Sequence, residues 1–171
     1  MLAFDLLPNE YSVFNATYIN AAENKTLLQG LLDGLPQLVN FLKEIPSEKL
    51  EYRYAEGKWT IKDIILHMAD TERIFAYRAL RFARNDKTAL PGFEENDYAA
   101  IAPAEERSIM SLLTEFSAIR HANILMFKSF SEVELLRIGT ASENEMSVRA
   151  LGFVIIGHQN HHQRIFEEMY L

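Results

Sequence analysis

Two histidines in the C-terminal part of the sequence have the spacing of a metal site. His158 and His162 are four residues apart, so on a helix their imidazole rings lie on adjacent turns of one face. The other members of that face are apolar and recur at helical spacing: Leu151, Ile155, Ile165 and Met169. Two histidines at this spacing occur in helical metal motifs. Polar rings within an apolar face need a partner, which a metal ion, a buried acid or a water would provide.

A third histidine lies in an earlier helical pattern. His67 has apolar neighbours on both sides: Ile64, Ile65 and Met68. Facing helices of a bundle bring residues from distant parts of a chain together, and metal sites are commonly built in this way. We therefore predict that His67, His158 and His162 hold one divalent ion, with an open fourth position for water or substrate, as in catalytic sites. The alternative for each is a histidine that is hydrogen-bonded within the core.

His161 and Asp70 are further candidates beside these three histidines. His161 lies at the edge of the face that carries His162. It is either an alternative metal ligand or a hydrogen-bond donor to an acceptor next to the metal ligands. Asp70 follows His67 by about one helical turn, and could orient that ring, act as a general base or be a fourth ligand. The alternative for Asp70 is a solvated acid paired with Arg73.

The remaining conspicuous side chains are expected to be structural. We interpret Glu72 as a surface acid and His121 as a surface or packing residue. Trp59 is expected to be the hydrophobic staple of a helix. Three residues of one loop are expected to anchor it, with coverage of a pocket as the alternative: Phe93, Asp97 and Tyr98.

Composition limits the ligands and the partners. The 171 residues include no cysteine, which excludes disulfides, thiolate ligands and a nucleophilic cysteine. Imidazole ligands with water suit zinc, nickel, copper or iron, and zinc and nickel are the leading candidates. A net charge of −7 without a basic run argues against nucleic acid as a partner. No apolar run approaches the roughly 20 residues of a membrane span, and residues 1–9 lack a basic signal region, so we expect no membrane partner and a cytoplasmic location.

Four amphipathic patterns predict an all-α fold. They cover approximately residues 21–43, 60–84, 103–130 and 147–170. Thr60 and Asp63 form a capping signature, and Ser147 is placed to cap the last helix. Pro103 suits the first turn of the third helix, whereas Pro36 predicts a kink or a break near residue 34.

The segments between these patterns are expected to be connections. We predict a polar connection at residues 44–56, a loop at 90–102, one short helical turn at 131–134 and irregular structure at 135–145. Strand-like alternation is essentially absent. Four helices of this length predict a four-helix bundle, which we expect to form a single domain over residues 1–171.

The sequence resembles the DinB-like (DNA-damage-inducible, YfiT-like) superfamily of metalloenzymes. The resemblance rests on residues 59–72, then 93–98, and then the run from Gly157 to His162, in that order. Residues 6–20 also look like the opening of the family, so the resemblance covers nearly the whole chain. The motifs are specific as an ordered set and weak singly.

The resemblance implies a four-helix bundle with a long crossover connection, often paired as a homodimer. It implies a metal triad of one histidine in the second helix and a His-x3-His pair in the fourth, which corresponds here to His67, His158 and His162. Some members resemble transferases that use low-molecular-weight thiols, and others resemble metal-dependent hydrolases or isomerases acting on small molecules. The family name records induction by DNA damage in some members and implies no binding to DNA.

Three alternative functions are compatible with the predicted histidine cluster. The first is a metal-dependent enzyme, either a thiol transferase or a hydrolase, and a thiol nucleophile would then come from a cosubstrate because the chain has no cysteine. The second is a non-catalytic metal-binding or interaction module of the stress response, which predicts metal affinity without turnover. The third is a helical interaction domain with hydrogen-bonded core histidines, which predicts no stoichiometric metal.

Overall fold

Helices form most of the structure, a computed structural model that describes residues 1–22, 24–102 and 104–171. The elements within these residues are α1 (Val13–Ala21), α2 (Leu27–Glu44), α3 (Ile61–Ala83), α4 (Glu95–Ile101), α5 (Ile109–Ser129), α6 (Glu132–Leu135), β1 (Ile138–Ala141), β2 (Asn144–Ser147) and α7 (Val148–Met169). The four long helices α2, α3, α5 and α7 correspond to the four predicted patterns. They pack on one another as a bundle, with α1 against α7.

The long helices begin where a hydroxyl side chain accepts a backbone hydrogen bond. Thr60 accepts from the amide of Asp63, whose carboxylate accepts in return from the Thr60 amide, which confirms the predicted capping box of α3. The hydroxyl of Ser147 accepts from the amide of Ala150 at the start of α7, also as predicted. Ser108 caps α5, which therefore begins later than predicted. Pro103, which we assigned to the first turn of this helix, lies outside the described residues.

Several sequence-based expectations were wrong. The first long helix begins at Leu27 rather than near residue 21, because Val13–Ala21 forms the separate helix α1. The helix α2 is continuous through Pro36, so the alternative of a break near residue 34 is wrong. The predicted loop at residues 90–102 contains α4. By contrast, the short turn predicted at residues 131–134 is confirmed as α6, capped by Ser131.

Residues 135–145, predicted to be irregular, include most of a β-hairpin. The strands β1 and β2 pair antiparallel, from Ile138 opposite Ser147 to Ala141 opposite Asn144. The two residues of the turn, Ser142 and Glu143, have φ angles of 50° and 62°, as a two-residue hairpin turn of this kind requires. The fold is therefore all-helical apart from this hairpin.

Buried polar side chains divide the apolar core into two clusters. One cluster contains Leu31, Phe82 and Phe153, and the other contains Leu38, Ile65 and Phe166. Along the long helices, polar side chains lie beside or between these clusters, and we call them the polar layer: His67 and Glu72 on α3, Arg120 and Asn123 on α5, and His158, Gln159 and His162 on α7.

A buried ion pair fixes the N-terminal segment to the bundle. Glu10 and Arg149 are both buried, and Nε of Arg149 donates to Oε2 of Glu10 over 2.6 Å. Arg149 also donates to the carbonyl oxygen of Asp5 at 3.3 Å.

In the described ranges, no helix has both the length and the apolar character that a membrane span needs.

Candidate metal centre

Three imidazole nitrogens from two helices converge at the middle of the bundle. Nε2 of His158 lies 3.1 Å from Nε2 of His67 on α3 and 3.1 Å from Nε2 of His162 on α7. The three ligand atoms all lie within 4.8 Å of one another. Nitrogens bound about 2.0–2.1 Å from a tetrahedral zinc ion are about 3.3 Å apart. The spacing of the rings therefore fits a shared divalent ion.

Hydrogen bonding between the rings does not explain this arrangement. An imidazole nitrogen carries either one hydrogen or one lone pair in the ring plane. Nε2 of His158 therefore cannot make a well-directed hydrogen bond to both of its neighbours. In the part of the chain that the structure describes, Nδ1 of His162 is buried without a hydrogen-bond partner. A cation that accepts all three lone pairs removes the conflict at Nε2.

Electrostatics favour the neutral, ligating form of all three rings. Burial lowers the pKa of His67 to about 4. The pKa values of His158 and His162 lie well below the usual range, first because burial penalises the charged ring and second because the neighbouring imidazoles repel an added proton. At neutral pH the three rings are therefore uncharged, which is the form that binds a metal ion.

A cavity of about 490 Å³ opens onto the three histidines. This volume lies in the usual range for a small-molecule site, roughly 300–1,000 Å³. Its walls combine polar side chains with aromatic and apolar ones, which include Phe14, Tyr18, Trp59, Phe75, Phe93 and Met146. Besides the histidines, its charged lining residues are Arg78 and Glu95. The arrangement offers an open cavity in which a small organic molecule can reach the imidazole cluster.

Neighbouring side chains position the ligand rings. The hydroxyl of Thr71, one turn beyond His67 on α3, lies 3.4 Å from Nδ1 of His67. If that hydroxyl accepts the Nδ1 hydrogen, the lone pair of Nε2 points at the cluster. Trp59 packs against the His67 ring with centroids 4.8 Å apart, so it contacts the site in addition to flanking the start of α3. Tyr18 packs edge-on against the ring of His158 at 5.3 Å.

The interpretation of Glu72 as a surface acid is wrong. Glu72 is 3% exposed and accepts two hydrogen bonds from Arg120, at 2.7 and 2.8 Å. Arg120 also donates to the side chain of Gln159, which in turn donates to the carbonyl oxygen of Gly34 on α2. Gln159 directly follows His158, so this chain of contacts holds the segment of α7 that carries the candidate ligand.

The remaining candidates occupy different surroundings. His161 is half-buried, lines the cavity and packs edge-on against Tyr18 with centroids 5.5 Å apart. Asp70 borders a narrow crevice beneath α4, is not part of the cavity lining, and accepts a hydrogen bond from Arg73 at 3.2 Å. Burial raises the pKa of Asp70, with Arg73 opposing that shift. His121 is exposed, in agreement with its interpretation as a surface or packing residue.

Sequence reasoning missed Thr71 and Arg78 as residues of the cavity. Both follow His67 on α3, by four and by eleven residues, and Phe75 lies between them at eight. These intervals keep one face of a helix, so the helical period that linked His158 to His162 could have found them. Phe93 lines the cavity and Tyr98 the crevice, with Phe93–Tyr98 ring centroids 5.4 Å apart.

Comparison with known proteins identifies chains of similar sequence. The model of a family described as the DinB superfamily matches residues 32–166. A protein of Geobacillus thermodenitrificans (strain NG80-2) named "Putative metal-dependent hydrolase" is 26% identical over 118 residues, which cover 68% of this chain and 66% of that protein. The chain thus spans slightly less than two thirds of the length of that relative.

A solved structure shows the same fold. It is that of YfiT from Bacillus subtilis, described as a probable metal-dependent hydrolase with an unusual four-helix bundle topology. The TM-score is 0.72 at 14% identity, over 84% of this chain and 85% of that chain. At this level of identity the likeness concerns the fold, and it confirms the predicted four-helix bundle.

Proposed function

The chain belongs to the DinB superfamily, and from this premise we propose that it is a metal-dependent hydrolase of small molecules whose divalent ion is held by His67, His158 and His162. The observation that carries the proposal is the convergence of three neutral imidazole nitrogens at the wall of a cavity. When bound, such an ion supplies Lewis acidity, which polarises a substrate oxygen and lowers the pKa of water. Zinc and nickel are the ions that we expect.

The residues of the chain have separate tasks in this proposal. Thr71 keeps a proton on Nδ1 of His67, so that Nε2 stays free to bind. The aromatic side chains of the cavity provide apolar surface against which the substrate packs. His161 is the proposed general base, because it lines the cavity and because burial, followed by the charge of Arg164, lowers its pKa and keeps its ring able to accept a proton. Asp70 remains the alternative base, although its carboxylate pairs with Arg73.

A low-molecular-weight thiol transferase is the second candidate. The observation that favours it is a cavity of about 490 Å³, which has room for a small cosubstrate beside a substrate. The sequence contains no cysteine, so the thiol would have to come from that cosubstrate. The two candidates share the three histidines and differ in whether turnover requires an added thiol.

Metal analysis of protein purified without an affinity tag tests the proposed centre. We expect about one zinc or nickel ion per chain, and loss of that ion in His158→Ala and in His67→Ala. The matched control is His121→Ala, which removes an exposed histidine outside the cluster and should leave the metal content unchanged. Wild-type protein that binds no divalent ion, or a His158→Ala variant that keeps it, would overturn the metal centre.

Activity screens then separate the enzymatic candidates. Ester, amide and phosphoester hydrolysis should be measured with and without an added thiol, with His158→Ala as the inactive reference. His161→Gln should lower kcat more than it changes the metal content, whereas Asp70→Asn should affect both little if Asp70 serves only to pair Arg73. Stoichiometric metal without turnover in any screen would favour the non-catalytic module over the enzyme.

Removal of the metal provides a measurement that is independent of substrate. An ion that binds only the folded protein, at about 100 times its Kd, adds about 2.7 kcal/mol to the free energy of unfolding. We therefore expect the Tm to fall on chelation and to recover on addition of the ion. The same treatment of His158→Ala should leave the Tm unchanged, and an equal shift in that variant would place the ion elsewhere.

A homodimer and a cytoplasmic location complete the proposal. The homodimer derives from the resemblance to the family and the cytoplasmic location from the composition of the sequence, and sedimentation and cell fractionation test them directly.

A further inference from the structure

We propose that Arg78 binds a carboxylate of the substrate at the opposite side of the cavity from the three histidines. This inference rests on the proposed function, because it takes the cavity as the substrate site. It adds the chemical class of the substrate: an organic acid with an apolar segment between its carboxylate and the reacting group.

Arg78 and His67 lie on one face of α3 but about three helical turns apart. Arg78 lies on the face of α3 that carries His67 and Thr71, eleven residues beyond His67, which corresponds to a rise of about 16 Å along the helix. All three side chains line the same cavity. A molecule that reaches both His67 and Arg78 must therefore be elongated.

Arg78 is buried, and its guanidinium has no ion-pair partner among the described residues. Its side chain is 5% exposed, and its guanidinium lies 5.6 Å from the ring centre of Phe75 and 6.0 Å from that of Phe93. In residues 1–22, 24–102 and 104–171, no carboxylate forms an ion pair with it, and burial alone lowers the pKa of Arg78. Because arginine stays charged in proteins, a buried guanidinium without a counter-charge is unfavourable. A substrate anion would supply the missing charge.

The hydrogen bonds of Arg78 leave donors available for that anion. Nη2 donates to the carbonyl oxygen of Pro91 and to Oγ of Ser142, both at 3.0 Å. These contacts hold the guanidinium in place between the segment before α4 and the tip of the hairpin. Of the five N–H donors of arginine, the three on Nε and Nη1 have no partner among the described residues.

The charges around the cavity favour a carboxylate over a phosphate. Arg78 is the one permanently cationic side chain in the described lining, and Glu95 also contributes to that lining. One guanidinium balances the single charge of a carboxylate, whereas a phosphate dianion would call for a second cation. Between the two poles, Phe75, Phe93 and Met146 provide an apolar wall for the body of the molecule.

Binding of a matched pair of probes tests the inference. The probes are 4-phenylbutanoate and its neutral amide, and Kd is measured by calorimetry and by the fluorescence of Trp59, the single tryptophan, which lines the cavity. A charge-assisted hydrogen bond corresponds to a preference of about tenfold or more for the carboxylate. We expect Arg78→Met to reduce this preference to about one, and Arg78→Lys to retain part of it.

Two control variants separate recognition of the anion from support of the loop. Ser142→Ala removes one contact of Arg78 but leaves the guanidinium, and should retain the preference. Arg84→Met removes an exposed arginine of the same region and should also retain it. Loss of the preference in Ser142→Ala to the same degree as in Arg78→Met would make Arg78 a structural tie and would overturn the inference. Equal binding of the two probes to the wild type would overturn it even if Arg78→Met does not fold.

The metal must be varied separately, because a carboxylate can also bind a metal ion. The preference should persist in chelated wild type and in His162→Ala. Absence of metal with a persisting preference would contradict the proposed function alone, whereas one metal ion per chain with no preference would contradict this inference alone. Tighter binding of 3-phenylpropylphosphonate than of the carboxylate would overturn the carboxylate assignment in favour of a phosphate site.

Discussion

Thr71 and Glu72 are adjacent in the sequence and serve the site from different directions. Thr71 contacts the ring of His67 directly, whereas Glu72 holds Arg120 in the polar layer behind His158. Both side chains are 3% exposed. Their effects can be separated experimentally, because the first should act on metal affinity and the second on folding.

Loss of the Thr71 hydroxyl should weaken metal binding. In Thr71→Val the shape of the side chain is retained, but Nδ1 of His67 loses its partner at 3.4 Å. Loss of a group that orients a metal-binding histidine lowers the metal affinity about 10–100-fold. Because this contact is long for a hydrogen bond, we expect a loss of about tenfold. Competition with a chromogenic chelator measures it. Thr71→Ser should restore most of the affinity, and an equal loss in both variants would assign the effect to packing.

Removal of the Glu72 carboxylate should destabilise the whole protein. Arg120 is 1% exposed, so Glu72→Ala leaves a buried guanidinium without its counter-charge. The expected loss is about 3–5 kcal/mol in the free energy of unfolding. Glu115→Ala, which breaks partly exposed ion pairs with Arg73 and Arg107, is the control and should cost about 1 kcal/mol or less for each pair.

Urea unfolding of the double variant Glu72→Ala/Arg120→Met completes this test. Since the double variant contains neither buried charge, it should be more stable than Glu72→Ala alone. A double variant that is less stable than the single one would show that Arg120 contributes mainly through its other contact, with Gln159.

Among the elements, α1 and α7 approach one another more closely than a side chain allows. A Cβ atom added at Gly157 would lie 1.7 Å from the carbonyl oxygen of Tyr18. This close contact lets α1 bring Tyr18 against the rings of His158 and His161. Gly157 is therefore required by the contact between the two backbones.

Gly157→Ala should displace α1 and lower the stability by several kcal/mol. The helix propensity of alanine exceeds that of glycine by about 1 kcal/mol, which cannot offset a clash with backbone. Gly30→Ala is the matched control, because a Cβ there would meet the end of the Ile156 side chain, which can move. Thermal unfolding compares the two variants. Equal stability of Gly157→Ala and the wild type would show that α1 can move away without cost.

The long helices could be predicted from sequence because their signals are local. Apolar periodicity identified α3 and α7, and the side chains of Thr60 and Ser147 marked where these helices begin. The same period placed His158 and His162 on one face. That His67 would meet them was an inference from how bundles pack, since no local signal joins α3 to α7.

The shorter elements gave no such signal. In α1 only Asn15 and Ile19 are buried, and in α4 no residue is, so neither helix has an apolar stripe. The hairpin turn consists of Ser142 and Glu143, whereas glycine and asparagine are the residues that usually mark such turns. Glu72 was misinterpreted because its partner Arg120 lies 48 residues away in another helix.

For the molecule as a whole, the polar layer lies where the four long helices could bury apolar side chains instead. Its charged and polar groups are satisfied mainly by one another, across all four long helices. The paired members of this layer, Glu72, Arg120, Asn123 and Gln159, favour one alignment of the helices, because a shift of a helix would leave several of them unpaired. The fold thus holds the three histidines in register.

Acid should weaken the attachment of the N-terminal segment. Burial acts to raise the pKa of Glu10, but hydrogen bonds from Arg149 and from the Leu7 amide outweigh it, so the folded-state pKa lies below the usual value of 4.5. The stabilisation by Glu10 is therefore fully present above the unfolded-state pKa and is lost as the pH falls through the lower, folded-state value.

Urea unfolding between pH 3 and pH 7 tests this expectation. The difference in stability between the wild type and Glu10→Gln should be constant near neutral pH and should shrink as the pH falls below about 4.5. Glu44→Gln replaces an exposed acid and should leave the pH dependence unchanged. A difference between the wild type and Glu10→Gln that grows on acidification would contradict the assigned direction of the shift.

The hairpin gives the fold a part that can diversify independently. Its tip contributes Ser142 and Asn144 to the cavity and is held by the contact of Leu90 with Ala141, while its base is fixed by the pairing of Ile138 with Ser147. Substitutions at the tip alter the cavity while the residues of the helices that carry the histidines stay unchanged, although a change of Ser142 also removes its contact with Arg78 on α3. Related proteins could thus acquire differently shaped cavities through exchange of a few turn residues, and a laboratory library confined to these positions would sample that variation in an otherwise constant scaffold.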